Sequence, residues 1–271
     1  MACRAAHWSI ADRLVENGAS LSVKDSRGQN CFHKAAAGAL GGGRGGRGTD
    51  QAEAAAVRRL VEDWERIYLR DTDTLVSRDA EGRTPLDVAV SRGNVAAARV
   101  FMEAGAEVDG GSLFAACGVG RPDLVEMLLE RGAEVNPTTN RAPLFAAAEK
   151  GDAKTIALLL EFGADVEARD GLGRTPLLSA VAAGEPEAAK RLLEARANLL
   201  ATDAVGRSGL MLAAQGGGGG DLIVARILLE SAERDELLSL TDADGRNALH
   251  FAATDECADM AHLLIENGIG M

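Results

Sequence analysis

Asp170-Gly171-Leu172-Gly173-Arg174-Thr175-Pro176-Leu177 opens a unit that recurs along almost the whole chain. A turn with Asp and Gly leads into Thr-Pro-Leu. An Ala-rich helix with Ala180 follows and stops at Gly184, and a second helix carries the paired apolar step Leu192-Leu193. Another clear copy begins at Asp79 and holds Gly82, Thr84-Pro85-Leu86, Ala89, Gly93 and Gly105-Ala106. A period of this kind means a stacked array in which each unit contacts only its neighbours. Arrays present surfaces, and this narrows the class of function before any single residue is considered.

The paired apolar step is the best ruler. It occurs at Leu14-Val15, Leu60-Val61, Phe101-Met102, Leu128-Leu129, Leu159-Leu160, Leu192-Leu193, Leu228-Leu229 and Leu264-Ile265. Leu159 and Leu192 stand 33 positions apart. Thr84 and Thr175 are placed to cap the first helix, a hydroxyl accepting an otherwise orphan backbone N–H. Pro85 and Pro176 then take the first helical position, where a missing N–H costs nothing. Asn30, Ser208 and Asn247 stand where Thr stands in other copies and keep the cap, whereas Ala142 cannot, which weakens that helix start by about 1 kcal/mol.

These hallmarks resemble the ankyrin repeat, a turn followed by two antiparallel helices. Its T-P-L-H-x-A motif is matched by Thr84-Pro85-Leu86 and Thr175-Pro176-Leu177, and its His stands at His33 and His250. The resemblance covers nearly the whole chain. It implies an all-α ankyrin-type solenoid of helix-turn-helix repeats with short β-hairpin-like turns. The expected organisation is one array over 1–271: a terminal half repeat at 1–22, a repeat at 23–78 with a Gly-rich insertion at 38–48, and six further repeats at 79–271. Incomplete units at both ends suggest a segment of a longer array, the rival being that they are its caps.

Several departures stand out. Gly38 to Gly48 reads as a flexible loop between two helices, and the helix beyond it is expected to run on through Trp64, Ile67, Tyr68 and Leu69. Gly216 to Gly220 reads as a shorter loop at an equivalent corner. Between Val108 and Leu113 there is no room for a turn tip. Gly93, Gly151 and Gly184 end first helices and Gly105, Gly132, Gly163 and Gly268 end second helices, where a left-handed residue is needed. Arg196 and Ala232 replace Gly at two such corners and are expected to be strained.

Composition excludes several functions. Aromatic residues make up 3% of the 271, too few for a deep aromatic-lined pocket. The net charge of −12 disfavours nonspecific binding to nucleic acid or anionic membranes. Four separated cysteines with no C-x-x-C spacing argue against a disulfide framework or zinc site, and suggest an intracellular setting, cytoplasmic or nuclear. Cys117 and Cys257 are expected at helix positions that take small apolar residues.

No residue set supports catalysis. His33 and His250 read as structural, bonding backbone around the turn. On the last helix, Asp255, Glu256, Cys257, Asp259 and His262 lack the spacing that would bring Cys257 onto one face with the others. The Gly-Arg run around Arg44 and Arg47 has an RNA-contacting alternative, but it holds two arginines and no aromatic. The ankyrin resemblance makes Asn136 a candidate for hydroxylation, beside its plainer role as a turn residue. No catalytic residue, metal, cofactor or small-molecule substrate is expected.

What the resemblance implies instead is a noncatalytic scaffold that binds a protein partner through a concave face of turn tips and inner helices. Its candidate tip residues are Glu81 and Arg83, Leu172 and Arg174, Val205 and Arg207, and Asp244 and Arg246. Those on the helix side are Ser91, Arg92, Glu149 and Lys150. Arginine after the turn glycine recurs in four copies, either as a basic stripe on an acidic protein or as a residue this exposed turn simply tolerates. A monomer is expected. The alternative is the recognition segment of a larger enzyme or regulator, such as a kinase, ubiquitin ligase or acyltransferase.

Overall fold

A computed structural model describes residues 20, 22–37, 55, 57–59, 61–62, 73–137, 142–216, 219–253 and 257–269. The Gly-Arg insertion and the continuation through Trp64 to Leu69 lie outside these residues, as do residues 1–19 of the first half repeat. The chain divides into two compact units, Met1–Glu134 and Val135–Met271.

In the first unit the helices are α1 (Cys31–Ala36), α2 (Asp73–Val76), α3 (Pro85–Ser91), α4 (Val95–Glu103), α5 (Gly110–Val119) and α6 (Pro122–Glu130). Helices α1, α3 and α5 stack as one row, and α4 packs on α6 in a second row. Phe32 of α1 meets Phe101 of α4 edge-on, with ring centroids 5.8 Å apart. Between Val108 and Leu113 the tip is indeed lost. Asp109 instead caps α5 directly, accepting the Ser112 N–H at 2.9 Å.

The second unit holds α7 (Pro143–Lys150), α8 (Ala153–Glu161), α9 (Pro176–Ala182), α10 (Pro186–Glu194), α11 (Gly209–Gln215), α12 (Gly219–Leu229), α13 (Arg234–Ser239), α14 (Ala248–Ala252) and α15 (Ala258–Glu266). Helices α7, α9, α11 and α14 form the inner row, while α8, α10 and α12 form the outer row. Among the described residues there is no strand; one isolated bridge pairs Thr202 with Ser208 across a tip.

The paired apolar step explains the stacking. Its first residue is fully buried at Phe101, Leu128, Leu159, Leu192 and Leu264, and nearly so at Leu228. Caps fall where side-chain chemistry places them. Asn30, Thr84, Thr175, Ser208 and Asn247 each accept the N–H three residues on, and Ala142 makes no side-chain cap. The seven expected corner glycines all have positive φ.

Arg196 also turns left-handed, with φ 65°, the one non-glycine to do so among the described residues. It keeps the corner's hydrogen bonds, Arg196 N–H to Leu193 and Ala197 N–H to Leu192. Ala232 does not follow the expectation. The chain inserts α13 after α12, burying Leu237 and Leu238, so the tight corner and its strain are avoided. Gly219 and Gly220 belong to α12 and not to a loop. Cys117 is buried as expected, whereas Cys257 is half-buried and stands just before α15.

Consecutive tips are tied by single backbone bonds. Ala204 donates to Leu172 O at 3.0 Å and Ala243 to Val205 O at 3.1 Å. Gly173 is needed twice over: its φ is 73°, and an added Cβ would stand 2.9 Å from the Ala204 nitrogen. Gly173→Ala is therefore expected to cost about 1–3 kcal/mol, read as a lower urea midpoint with an unchanged slope. Gly245→Ala shares the positive φ but meets nothing within 4 Å, and should cost less.

Candidate functional site

Each full tip is built around an aspartate. Asp170 Oδ1 accepts the backbone N–H groups of Leu172 and Arg174, both at 2.9 Å. Asp79 does the same for Glu81 and Arg83, Asp203 for Val205 and Arg207, and Asp242 for Asp244 and Arg246. The backbone closes the ring, the Asp N–H donating to the arginine carbonyl at 2.9–3.0 Å in all four tips. One short side chain thereby satisfies two amides that would otherwise need water, as Asp does in turns generally.

The second oxygen of each aspartate holds the arginine four residues on. Arg174 reaches Asp170 at 2.7 Å, and Arg83, Arg207 and Arg246 reach their aspartates at 2.8 Å. The side chains of Asp79, Asp203 and Asp242 are 0%, 1% and 2% exposed. Each guanidinium finds a further partner. Arg83 contacts Glu81, Arg174 reaches Glu149 at 3.5 Å, and Arg207 donates to Gln215 at 3.0 Å. Arg246 pairs with Asp244 and lies 5.1 Å from the ring centre of Phe251.

The recurring arginines are thus clamps of their own turns, and their charge is neutralised locally. Sequence reasoning took the arginines alone and missed the aspartates. The signal was present as D-x-x-G-R at Asp79, Asp170, Asp203 and Asp242. The tip at Asp25 keeps the ring but has Gln29 in the arginine's place. There Lys34 supplies the charge, 2.6 Å from Asp25, and Gln29 donates onward to Asp79.

Electrostatics follow from this geometry. Burial opposes ionisation of Asp79, but Arg83, through its side chain and its backbone N–H, outweighs it and holds the carboxyl well below the usual carboxylate range. Asp170 and Asp242 are lowered against the same opposition by Arg174 and Arg246. Asp25 is lowered to about 2, first by Lys34 and then by the Gln29 amide. Burial of His33 pushes its pKa down. Its Nδ1 lies 2.7 Å from Asn30 Oδ1 and 3.3 Å from the Asn30 nitrogen, and its Nε2 lies 2.9 Å from Arg83 O, a carbonyl that only accepts, so Nε2 donates there. His250 makes the same cap contact with Asn247. Both histidines therefore serve helix starts.

The sign of the pH dependence is fixed by these directions. Unfolded aspartates titrate near 3.9 and unfolded histidine near 6.5. With folded pKa values below those references, the unfolded state binds more protons, and stability falls as pH falls. We expect the melting temperature to begin declining below about pH 6.5 through His33, and more steeply below about pH 4 through Asp25, Asp79, Asp170 and Asp242. Replacing Asp170 by Asn should flatten the acid limb in a thermal melt series.

The second unit collects Leu172, Arg174, Val205, Arg207, Asp244 and Arg246 on successive tips, with Glu149 and Lys150 at the end of α7. Contacts from Arg174 to Glu149 and from Arg207 to Gln215 put those helix ends on the face that the tips line. Glu81 and Arg83 belong to the first unit, as do Ser91, which donates to Val88 O, and Arg92, the residue ending α3. Asn136 takes the plainer role of a hydrogen-bonding turn residue, and its bonds reach into the next repeat. It donates to Gly163 O at 2.8 Å and accepts from the Asp165 N–H at 2.9 Å, tying its repeat to the next. Glu167 repeats the device on the Asn198 N–H.

Among the described residues no group of three or more His, Cys, Asp or Glu side chains could hold a metal ion. Asp255 and Glu256 lie outside them, and Asp259 and His262 are exposed on α15. No helix among the described residues is long and apolar enough to cross a membrane.

The ankyrin repeats model, which spans three copies, matches residues 112–203 and 189–271, and the single ankyrin repeat model matches 81–110. The crystal structure of the human ASB11 ankyrin repeat domain is similar, with a TM-score of 0.66 and 22% identity over 84% of this chain and 95% of that one. At that identity the likeness concerns the fold. No curated protein sequence matches the chain. Aspartate-built tips, capped inner helices and glycine corners recur where those family models align, and the chain belongs to the ankyrin repeat family.

Proposed function

We propose that this chain is a noncatalytic scaffold that binds a protein partner through the face formed by its turn tips and inner helices. Ankyrin repeats are protein–protein interaction modules and are generally noncatalytic. The observation that carries the reading is the rigid presentation of the tips. Each is closed by an aspartate ring, and consecutive tips are hydrogen-bonded in the second unit. A surface held this way loses little conformational entropy on binding, and ordering cost is one of the terms that hold affinity down. Leu172 and Val205 project from it with 58% and 52% exposure, although most large apolar side chains of the chain are buried.

The test is affinity capture with the intact chain, followed by competition between two sets of variants. Substituting Leu172 and Val205 should release the captured partner. Substituting Lys154, Glu187 and Lys190, exposed on the outer helices α8 and α10, should leave it bound. The reverse pattern would overturn the reading.

A further inference from the structure

We infer that the second unit's face takes an apolar, uncharged segment of its partner and not an acidic one; this rests on the reading just given. Sequence alone leaves the recurring arginines either a basic stripe that would seek carboxylates or residues that an exposed turn tolerates. In the folded chain that charge is already used. Arg174 is engaged by Asp170 and Glu149, Arg207 by Asp203 and Gln215, and Arg246 by Asp242 and Asp244. An acidic partner would have to compete with carboxylates at 2.7–2.8 Å, two of them buried and Asp170 only 12% exposed, whose ring bonds also hold the turn. Exchanging one such pair for another of equal charge gains little, while opening the ring strands two backbone amides.

Between the Arg174 and Arg207 clamps the side chains that project are apolar, and the charge beside them is Arg169, whose guanidinium is turned onto the Gly173 carbonyl at 2.6 Å and the Thr202 carbonyl at 2.7 Å. Leu172 and Val205 occupy the same place in adjacent tips, joined through the Leu172 carbonyl and the Ala204 amide. Behind them the end of α9 offers exposed Ala182 and Ala183. Ala182 stands five residues past Leu177, as Glu149 stands past Leu144 and Gln215 past Leu210. The middle repeat is therefore the one that puts alanine where its neighbours put a polar side chain. The Glu149–Arg174 and Gln215–Arg207 contacts bound this patch on two sides. Two projecting aliphatic side chains over an alanine floor fit a short segment bearing paired aliphatic or aromatic residues. Burial of those residues supplies the affinity, and the polar rim excludes water.

The experiment pans the immobilised full chain against a displayed library of random peptides, with an unrelated protein as control. Enriched peptides are expected to share apolar residues, to hold equally at low and high ionic strength, and to bind at least about tenfold more weakly to the double variant Leu172→Glu, Val205→Glu. The double variant should fold, because Glu81 and Asp244 already place a carboxylate at the equivalent position of other tips; its circular dichroism melt verifies this. Acidic peptides that wash off with salt and ignore the double variant overturn the inference, yet leave a binding face in place. Absence of any peptide enriched over the control counts against both.

Discussion

Charge reversal of Arg83, Arg174 and Arg207 together is expected to destabilise the array by roughly 3–6 kcal/mol, about 1–2 kcal/mol per clamp. On exposed tips, as the sequence places them, these arginines would be expected to tolerate reversal with the fold unchanged. The clamps alter that expectation. Each guanidinium sits 2.7–2.8 Å from an aspartate that also holds two backbone amides. A glutamate in its place loses the pair and sets a second negative charge against an aspartate that is itself shielded from water. The arginine side chains are 42%, 23% and 28% exposed, so solvent screens part of the loss, and the figure is kept well below that for a fully buried pair. Replacement of the same residues by Gln should cost less, because Gln29 already serves after Asp25 with its ring intact. Urea denaturation of the two triple variants separates the cases. Loss of binding in the Glu variant would accordingly report a disrupted tip, not a lost recognition charge.

Leu177→Ala is expected to cost about 2–5 kcal/mol. Leu177 is 1% exposed at the start of α9, and α9 packs on α7, α10 and α11. Truncation removes buried methyl groups from a row in which every unit is supported only by its neighbours, so the cavity weakens both interfaces of that repeat. Chemical denaturation monitored at 222 nm should show the midpoint fall. Leu172→Ala, five residues away and exposed, should change stability by no more than about 0.5 kcal/mol.

Local chemistry made much of the fold readable from sequence. Caps at Thr84, Thr175, Ser208 and Asn247 and corners at Gly93, Gly151 and Gly184 depend on one side chain and its own backbone, so residue type nearly determines them. The strained Arg196 was readable for the same reason, since the repeat fixes which position must turn left-handed. Ala232 was not, because a chain with enough residues before the next tip can insert a helix and avoid the strain altogether. The site was less readable than the fold. Arg174 and Arg207 look alike whether they face solvent or fold back on an aspartate, and only the turn geometry decides. The inter-repeat bonds of Asn136 and Glu167 join residues far apart in sequence, and no local pattern announces them.

Amide hydrogen exchange of the full chain, free and with its captured partner, separates the binding face from the rest of the molecule. Slowed exchange is expected at the tips around Leu172 and Val205 and at the ends of α9 and α11, with α8, α10 and α12 unchanged. Protection confined to α8, α10 and α12, with the tips exchanging as in the free chain, would contradict binding through the tip and inner-helix face.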